Sequence, residues 1–219
     1  MKPLILFPCN GNTREAVSVV EAINRVTPTW ELLGFSDDNP ALQGTTQMGY
    51  PVCGTRDALQ AHPEAYVLAA PGRPDNYWRR LALIEELGVS AARWATLVHP
   101  DAQIGAGCTV GNNVLIQAGV VLTASVEVAD HVAILPNTVL SHDVSVGRGT
   151  LIGAGVVIAG GVRLQESAYV GSGSRLLQEI IIGEFSLVGL GATVIFSVPP
   201  HTVVAGNPAR MLRCVLPKS

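Results

Sequence analysis

From Val98 to Val194 every sixth residue of this chain is Leu, Ile or Val, without a gap. The run is Val98, Ile104, Val110, Ile116, Leu122, Val128, Ile134, Leu140, Val146, Ile152, Ile158, Leu164, Val170, Leu176, Ile182, Val188 and Val194. Such a fixed short period is the mark of a solenoid. The fifth residue of each hexad is small or β-branched, as at Ala102, Cys108, Val114, Thr138, Thr150, Ser174, Ser186 and Ala192. The second is glycine at 105, 111, 147, 153, 171, 183 and 189. Each hexad is expected to supply one short strand and one corner. The large aliphatic points inward, the small residue fills the gap beside it, and glycine relieves the backbone at the turn. Three hexads close one triangular coil of 18 residues, so the 17 hexads make between five and six parallel coils, stacked about 4.8 Å apart. Cys108 falls in a small inward slot and reads as packing, not as a nucleophile.

Composition agrees with a narrow aliphatic core. Hydrophobic residues are 48% of the 219, charged residues 14% and aromatics only 5%. A net charge of −3 and the lack of any basic run exclude a nucleic-acid surface. No segment approaches the roughly 18 apolar residues of a membrane span, and the apolar run at 4–7 is too short for a signal peptide. Cys9, Cys53, Cys108 and Cys214 are far apart and form no CxxC pair, which points away from a disulfide framework or zinc ribbon and towards a reducing cytoplasm.

Before the repeats the pattern changes. Residues 4–7, 31–35 and 66–70 read as strands, and 14–26 and 76–87 as helices. Alternating strands and helices give a small Rossmann-like α/β domain with a parallel sheet over residues 1–96, followed by the β-helix and a C-terminal tail over 97–219. Ligands of such a sheet sit at the C-terminal strand ends, here residues 10–13, 37–38 and 71–73. Asn10, Gly11, Asn12, Thr13 and Arg14 are candidates for holding a phosphate at a helix start, and a plain strand–helix turn is the alternative. Asp37 and Asp38 fit either ribose hydroxyls or a capped turn, and Gly72 completes the candidate substrate site.

Together the two halves resemble the family of sialic-acid O-acetyltransferases and bacillosamine-pathway sugar-nucleotide N-acetyltransferases. The resemblance rests on the strand–turn–helix of 4–15, on Gly34-Phe35-Ser36-Asp37-Asp38-Asn39-Pro40 and on Gly49-Tyr50-Pro51-Val52-Cys53-Gly54-Thr55. It also rests on Leu97-Val98-His99-Pro100, Asn137-Thr138-Val139-Leu140-Ser141-His142-Asp143 and Gly206-Asn207-Pro208-Ala209. It implies a left-handed β-helix, an exception to the right-handed rule for parallel crossovers. It further implies a homotrimer with acetyl-CoA between adjacent helices, His142 as the base, Asp143 orienting it, Asn137 in support, and a nucleotide held by the N-terminal domain. Two departures stand out. The glycine-rich loop of the relatives is here Pro8-Cys9-Asn10-Gly11-Asn12-Thr13, and a second histidine is replaced by Leu151.

The period singles out the same histidine. In its hexad Leu140 and Val144 point inward, so His142 and Asp143 lie outside the prism. One coil on, Gly160 stacks against His142 and Gly161 against Asp143, clearing space for a ligand. This arrangement suits general-base acyl transfer without an acyl-enzyme: His142 takes the proton of an amine or hydroxyl, and the Gly160 N–H faces the oxyanion. Acetyl-CoA is expected along Gly160, Gly161, Gly189, Leu190 and Gly191, closed over by Asn207 and Pro208, with Arg210 and Arg213 either meeting its phosphates or solvated. No metal is expected, since His99, His131 and His142 fall at three different places around the coil. The expected reaction is N-acetylation of an amino sugar, with a nucleotide-linked 4-amino sugar as the acceptor. The alternatives are O-acetylation of a free sugar, sialic acid or glycan, a metal-dependent hydratase, and a scaffold without catalysis.

Overall fold

The computed structural model describes residues 1–215; residues 216–219, the end of the second domain drawn from the sequence, lie outside the described residues. Strands β1 (Lys2–Phe7), β2 (Trp30–Phe35) and β3 (Tyr66–Ala69) form a parallel sheet in the order β2-β1-β3. Helix α1 (Gly11–Val26) joins the first two. From Leu4 to Phe7 the central strand is apolar and buried because it is covered on both sides. Leu4 and Leu6 pack with Ala16, Val19 and Val20 of α1; Ile5 and Phe7 pack with Leu59 and Ile84 on the other side. The helix begins at Gly11, three residues before the expected start, because Asn10 caps it. Asn10 Oδ1 accepts the Thr13 N–H at 3.1 Å, and Thr13 Oγ1 accepts the Asn10 N–H at 3.0 Å, a reciprocal cap. The helix expected over 76–87 is shorter and divided: a tight turn, Tyr77–Arg79, leads into α2 (Arg80–Glu85). That turn carries Tyr77 Oη onto the repeats, where it donates to Phe185 O at 2.7 Å, and Gly88 at φ +60° follows the helix end.

The repeats form a three-sided column. Two-residue strands recur every six residues from Leu97–Val98 to Thr193–Val194, and all but the last three pair in parallel with the strand 18 residues on, as Leu122 does with Leu140 and Leu140 with Ile158. Three sheets result. The first, which we term the docking face, contains Leu97–Val98, Leu115–Ile116 and their successors. The valine face contains Gln103–Ile104 and Val121–Leu122, and the polar face Thr109–Val110 and Glu127–Val128. Apart from the exposed Ile104, the leading aliphatics and the fifth-position residues fill the interior in one continuous cluster, with Cys108 packed against it. Each fully buried Val, Leu or Ile contributes on the order of 1.5–3 kcal/mol. Buried hydroxyls at the fifth position are satisfied by the next coil: Thr138 donates to Gly153 O at 2.8 Å and Ser174 to Gly189 O at 3.0 Å.

The second-position glycines have a different cause from the one expected. The left-handed residue of each corner is the fourth, as at Gly107, Asn113, Gly119, Ser125, His131, Asn137, Asp143 and Gly149, where polar residues with short side chains tolerate positive φ. The second-position glycines answer to close approach instead. A Cβ at Gly105 would lie 1.6 Å from Thr123 O, and one at Gly153 2.4 Å from Ser172 N.

One column face explains where the first domain sits. The outward residue of each strand is Leu97, Leu115, Ala133 and Leu151 on the docking face, and these join the cluster formed by α1 and β1. On the polar face the same positions are Thr109, Glu127, Ser145 and Arg163. No helix among the described residues is long and apolar enough to cross a membrane.

Candidate active site

His142 and Asp143 occupy the corner between the valine and polar faces, opposite the docking face. With Leu140 and Val144 pointing inward, the His142 side chain is left 68% exposed. Its Nδ1 lies 2.8 Å from Asp143 Oδ2. An ionised carboxylate only accepts, so Nδ1 carries the proton and Nε2 keeps a lone pair for incoming protons. The ring lies over Gly160: a Cβ there would fall 2.5 Å from both Cε1 and Nε2. Gly161 N donates to His142 O at 2.9 Å, and Gly160 O accepts from Glu179 N at 2.9 Å. The Gly160 N–H has no acceptor among the described residues. A base, its orienting acid and a free backbone donor therefore share one exposed corner.

Other expected site residues are not gathered there. Asn137 is exposed on the corner between the docking and valine faces, stacked on Gly119, whose added Cβ would meet Asn137 Oδ1 at 2.3 Å. Strand Val139–Leu140 separates it from His142, and no hydrogen bond joins them. Gly189, the exposed Leu190 and Gly191 lie on Asn137's corner, with Asn207 and Pro208 nearby, since Thr193 N donates to Gly206 O at 3.0 Å and Ala209 N to Thr193 O at 2.8 Å. Gly160 and Gly161 lie across the valine face from these. His99, His131 and His142 occupy three different corners.

The loops of the first domain converge at the strand ends. Asn10 and Asn12 both donate side-chain N–H to Ala70 O, at 3.0 and 3.3 Å. Gly11 has open space where a Cβ would stand, and Arg14 is exposed. Asp37 is buried and accepts Cys9 N and Asn39 N, each at 2.8 Å, so it ties the loops after β1 and β2 together. Asp38 pairs with Arg56 at 2.6 Å, which holds its carboxyl below the usual range even though burial acts first, in the opposite direction. Gly72 has φ +116°, and its Cα faces the Arg80 side chain.

The sequence reading missed the joint beneath that loop. Arg80 is 1% exposed. It donates to His131 O through Nε (3.2 Å) and Nη2 (2.9 Å), and to Pro71 O through Nη1. Desolvation lowers its pKa to about 10. Asn113, one coil before His131 on the same corner, accepts Ala69 N at 2.7 Å, donates to Ala69 O at 3.0 Å and meets His131 Nδ1 at 3.0 Å. Burial pushes the His131 pKa down to about 4, with nearby Asp130 opposing the shift. The 18-residue offset that paired His142 with Gly160 equally pairs Asn113 with His131, and was the available signal.

Residues 95–124 and 125–160 match the bacterial transferase hexapeptide (six repeats) family. The acetyltransferase domain of PglB from Neisseria gonorrhoeae FA1090 is similar over nearly the whole chain. It has a TM-score of 0.82 and 26% identity, covering 97% of this chain and 100% of that one. The same domain in complex with acetyl coenzyme A gives 0.80 and 27%, covering 96% and 99%. These likenesses support an acyltransferase, with the family's hexapeptide repeats matched over residues 95–160. PerB from Caulobacter crescentus, in complex with CoA and GDP-perosamine, shares the acyltransferase's fold at a TM-score of 0.82 and 24% identity, covering 97% of this chain and 98% of that one. The acyltransferase's column is accordingly a left-handed parallel β-helix. No curated protein sequence matches it.

Proposed function

We propose that this acyltransferase moves the acetyl group of acetyl-CoA to the amine of a nucleotide-linked 4-amino sugar, with His142 as general base and no acyl-enzyme. The observation that carries this reading is the His142 ring, held by Asp143 at 2.8 Å, over a glycine whose added Cβ would strike that ring. The amine attacks the thioester carbonyl, forming the N–C bond. Nε2 of His142 takes the amine proton, and Asp143 stabilises the imidazolium. The Gly160 N–H donates to the oxyanion. As the C–S bond breaks, the proton passes to the thiolate, giving the amide and free CoA and returning His142 to neutral. No metal takes part.

The reading includes a homotrimer, because the site is divided within one chain. Asn137 with Gly189–Gly191, Asn207 and Pro208 flanks one edge of the valine face; His142, Gly160 and Gly161 flank the other; the first domain, residues 1–96, sits on the opposite side. A second copy packed on Val121, Val139 and Val157, the outward residues of the valine face, brings the two edges together into a groove for acetyl-CoA. The loops at Asn10–Arg14, Asp37, Asp38 and Gly72 then hold the nucleotide. Asp37 and Asp38 do so only with the lone pairs that their own partners leave free. Four free thiols fit a cytoplasmic protein.

The test is steady-state assay with acetyl-CoA and UDP-, GDP- and dTDP-linked 4-amino sugars against free sugars and sialic acid. Turnover restricted to the free sugars replaces the amine reading with O-acetylation. The shared site is checked by co-assembling His142→Ala and Asn137→Ala chains. Activity above that of either variant alone is expected, and none is recovered if each site belongs to a single chain.

A further inference from the structure

Beside Asp143 the polar face opens into a cleft of about 310 Å³ lined by Ser125, Glu127, Asp143, Val144, Ser145 and Arg163. This volume stands at the lower end of the range for small-ligand pockets. Its floor is fixed by strand register: Glu127, Ser145 and Arg163 follow one another outward on successive coils, about 4.8 Å per step. Ser145 belongs to the same coil as His142, so the cleft begins beside the base. Neither Glu127 nor Arg163 makes a side-chain hydrogen bond or ion pair among the described residues, so both are free to meet a ligand in the cleft. The cleft therefore presents an unengaged acceptor at one end, an unengaged donor at the other and hydroxyls between.

We infer that this cleft is the subsite that reads the hydroxyl groups of the acceptor sugar, through Glu127 and Arg163. The inference rests on the proposed acetyl transfer to a sugar amine and adds where the ring lies. A carboxylate only accepts and a guanidinium only donates, while each sugar hydroxyl does both. The two therefore hold a hydroxylated ring in one orientation, with its amine turned towards His142. The opposite side of the same corner has a different chemistry. Beyond Gly160 the exposed side chains are Leu177 and Phe196, with Val157 on the adjoining face. That apolar shelf suits the arm of a thioester donor and offers nothing to a ring of hydroxyls. Donor and acceptor thus reach His142 from opposite sides.

Glu127→Ala and Arg163→Ala alter exposed side chains at outward positions, so the fold is expected to stand, as an unchanged melting temperature would confirm. At saturating acetyl-CoA, each is expected to raise KM for the nucleotide-linked amino sugar (GDP-perosamine and its UDP- and dTDP-linked 4-amino counterparts as probes) by about tenfold or more, the loss of a charged hydrogen bond. KM for acetyl-CoA should stay within about twofold. An unchanged acceptor KM overturns the assignment, and so does a rise confined to acetyl-CoA, which would give the cleft to the donor. If the unaltered protein neither binds nor acetylates any probe, the proposed reaction itself falls. If it acetylates one and both variants match it, only the cleft assignment falls.

Discussion

His131 and His142 lie on the same coil, at neighbouring corners, and almost everything else about them differs. His131 is 7% exposed, its Nδ1 near Asn113, its ring edge-on to Trp94 and its carbonyl gripped by Arg80. His142 is 68% exposed and leans on an acid. The repeat gives each residue a place on the prism; whatever covers a corner decides what a residue there can do. Where the first domain docks, a histidine becomes a fixed neutral joint. Where nothing of the same chain covers it, a histidine with a carboxylate on Nδ1 is a base open to substrate.

The sharpest way to break this contrast is to remove each ring. His142→Ala is expected to lower kcat by roughly 10²–10⁴-fold while leaving the melting temperature unchanged, because the side chain supports nothing below it. Near-native kcat would end its assignment as the base. The next effect separates two glycines. In Gly160→Ala the new methyl meets only the movable end of the His142 ring, so the ring is displaced and stability holds. A misplacement of about 1 Å costs about 10²-fold in rate. In Gly153→Ala the methyl meets the backbone and side chain of Ser172, so unfolding midpoints should fall. If both variants lose stability alike, the ring over Gly160 is as rigid as backbone and the corner is not open.

The column was legible because its cause is local and periodic. A six-residue alternation of large and small inward residues leaves little choice of fold, and the 18-residue offset located Gly160 beneath His142 before any coordinates. The first domain's strands were legible for the same reason, as apolar runs ended by turns. The glycines misled because position alone does not distinguish a residue that needs positive φ from one that needs no Cβ. Gly105 and Gly107 stand two apart and answer to different constraints. The halves of the site could be recognised singly, but not their separation, since Asn137 and His142 are five residues apart in sequence and on different corners. Of the docking joint, the Asn113–His131 stacking could be read from the 18-residue offset, but Arg80 could not. A buried guanidinium held by carbonyl groups leaves no charge partner in the sequence to find.

The smallest effect is the most specific to the comparison. Burial lowers the His131 pKa to about 4 from an ordinary value near 6.5. Between these values the unfolded chain binds a proton that the folded chain does not. The contribution of this neutral ring to stability is therefore complete above about pH 6.5 and diminishes as pH falls towards 4, at no more than about 1.4 kcal/mol per unit. Relaxation around the joint brings the expected loss to about 1–2 kcal/mol between pH 7 and 5. His131→Asn keeps a residue that accepts positive φ and a side chain able to meet Asn113, but it does not titrate. Urea unfolding at the two pH values should show a flatter dependence for the variant than for the unaltered protein. Equal slopes would mean that the docked corner opens to water as readily as the one bearing His142, and that the two histidines differ only in their neighbours' charges.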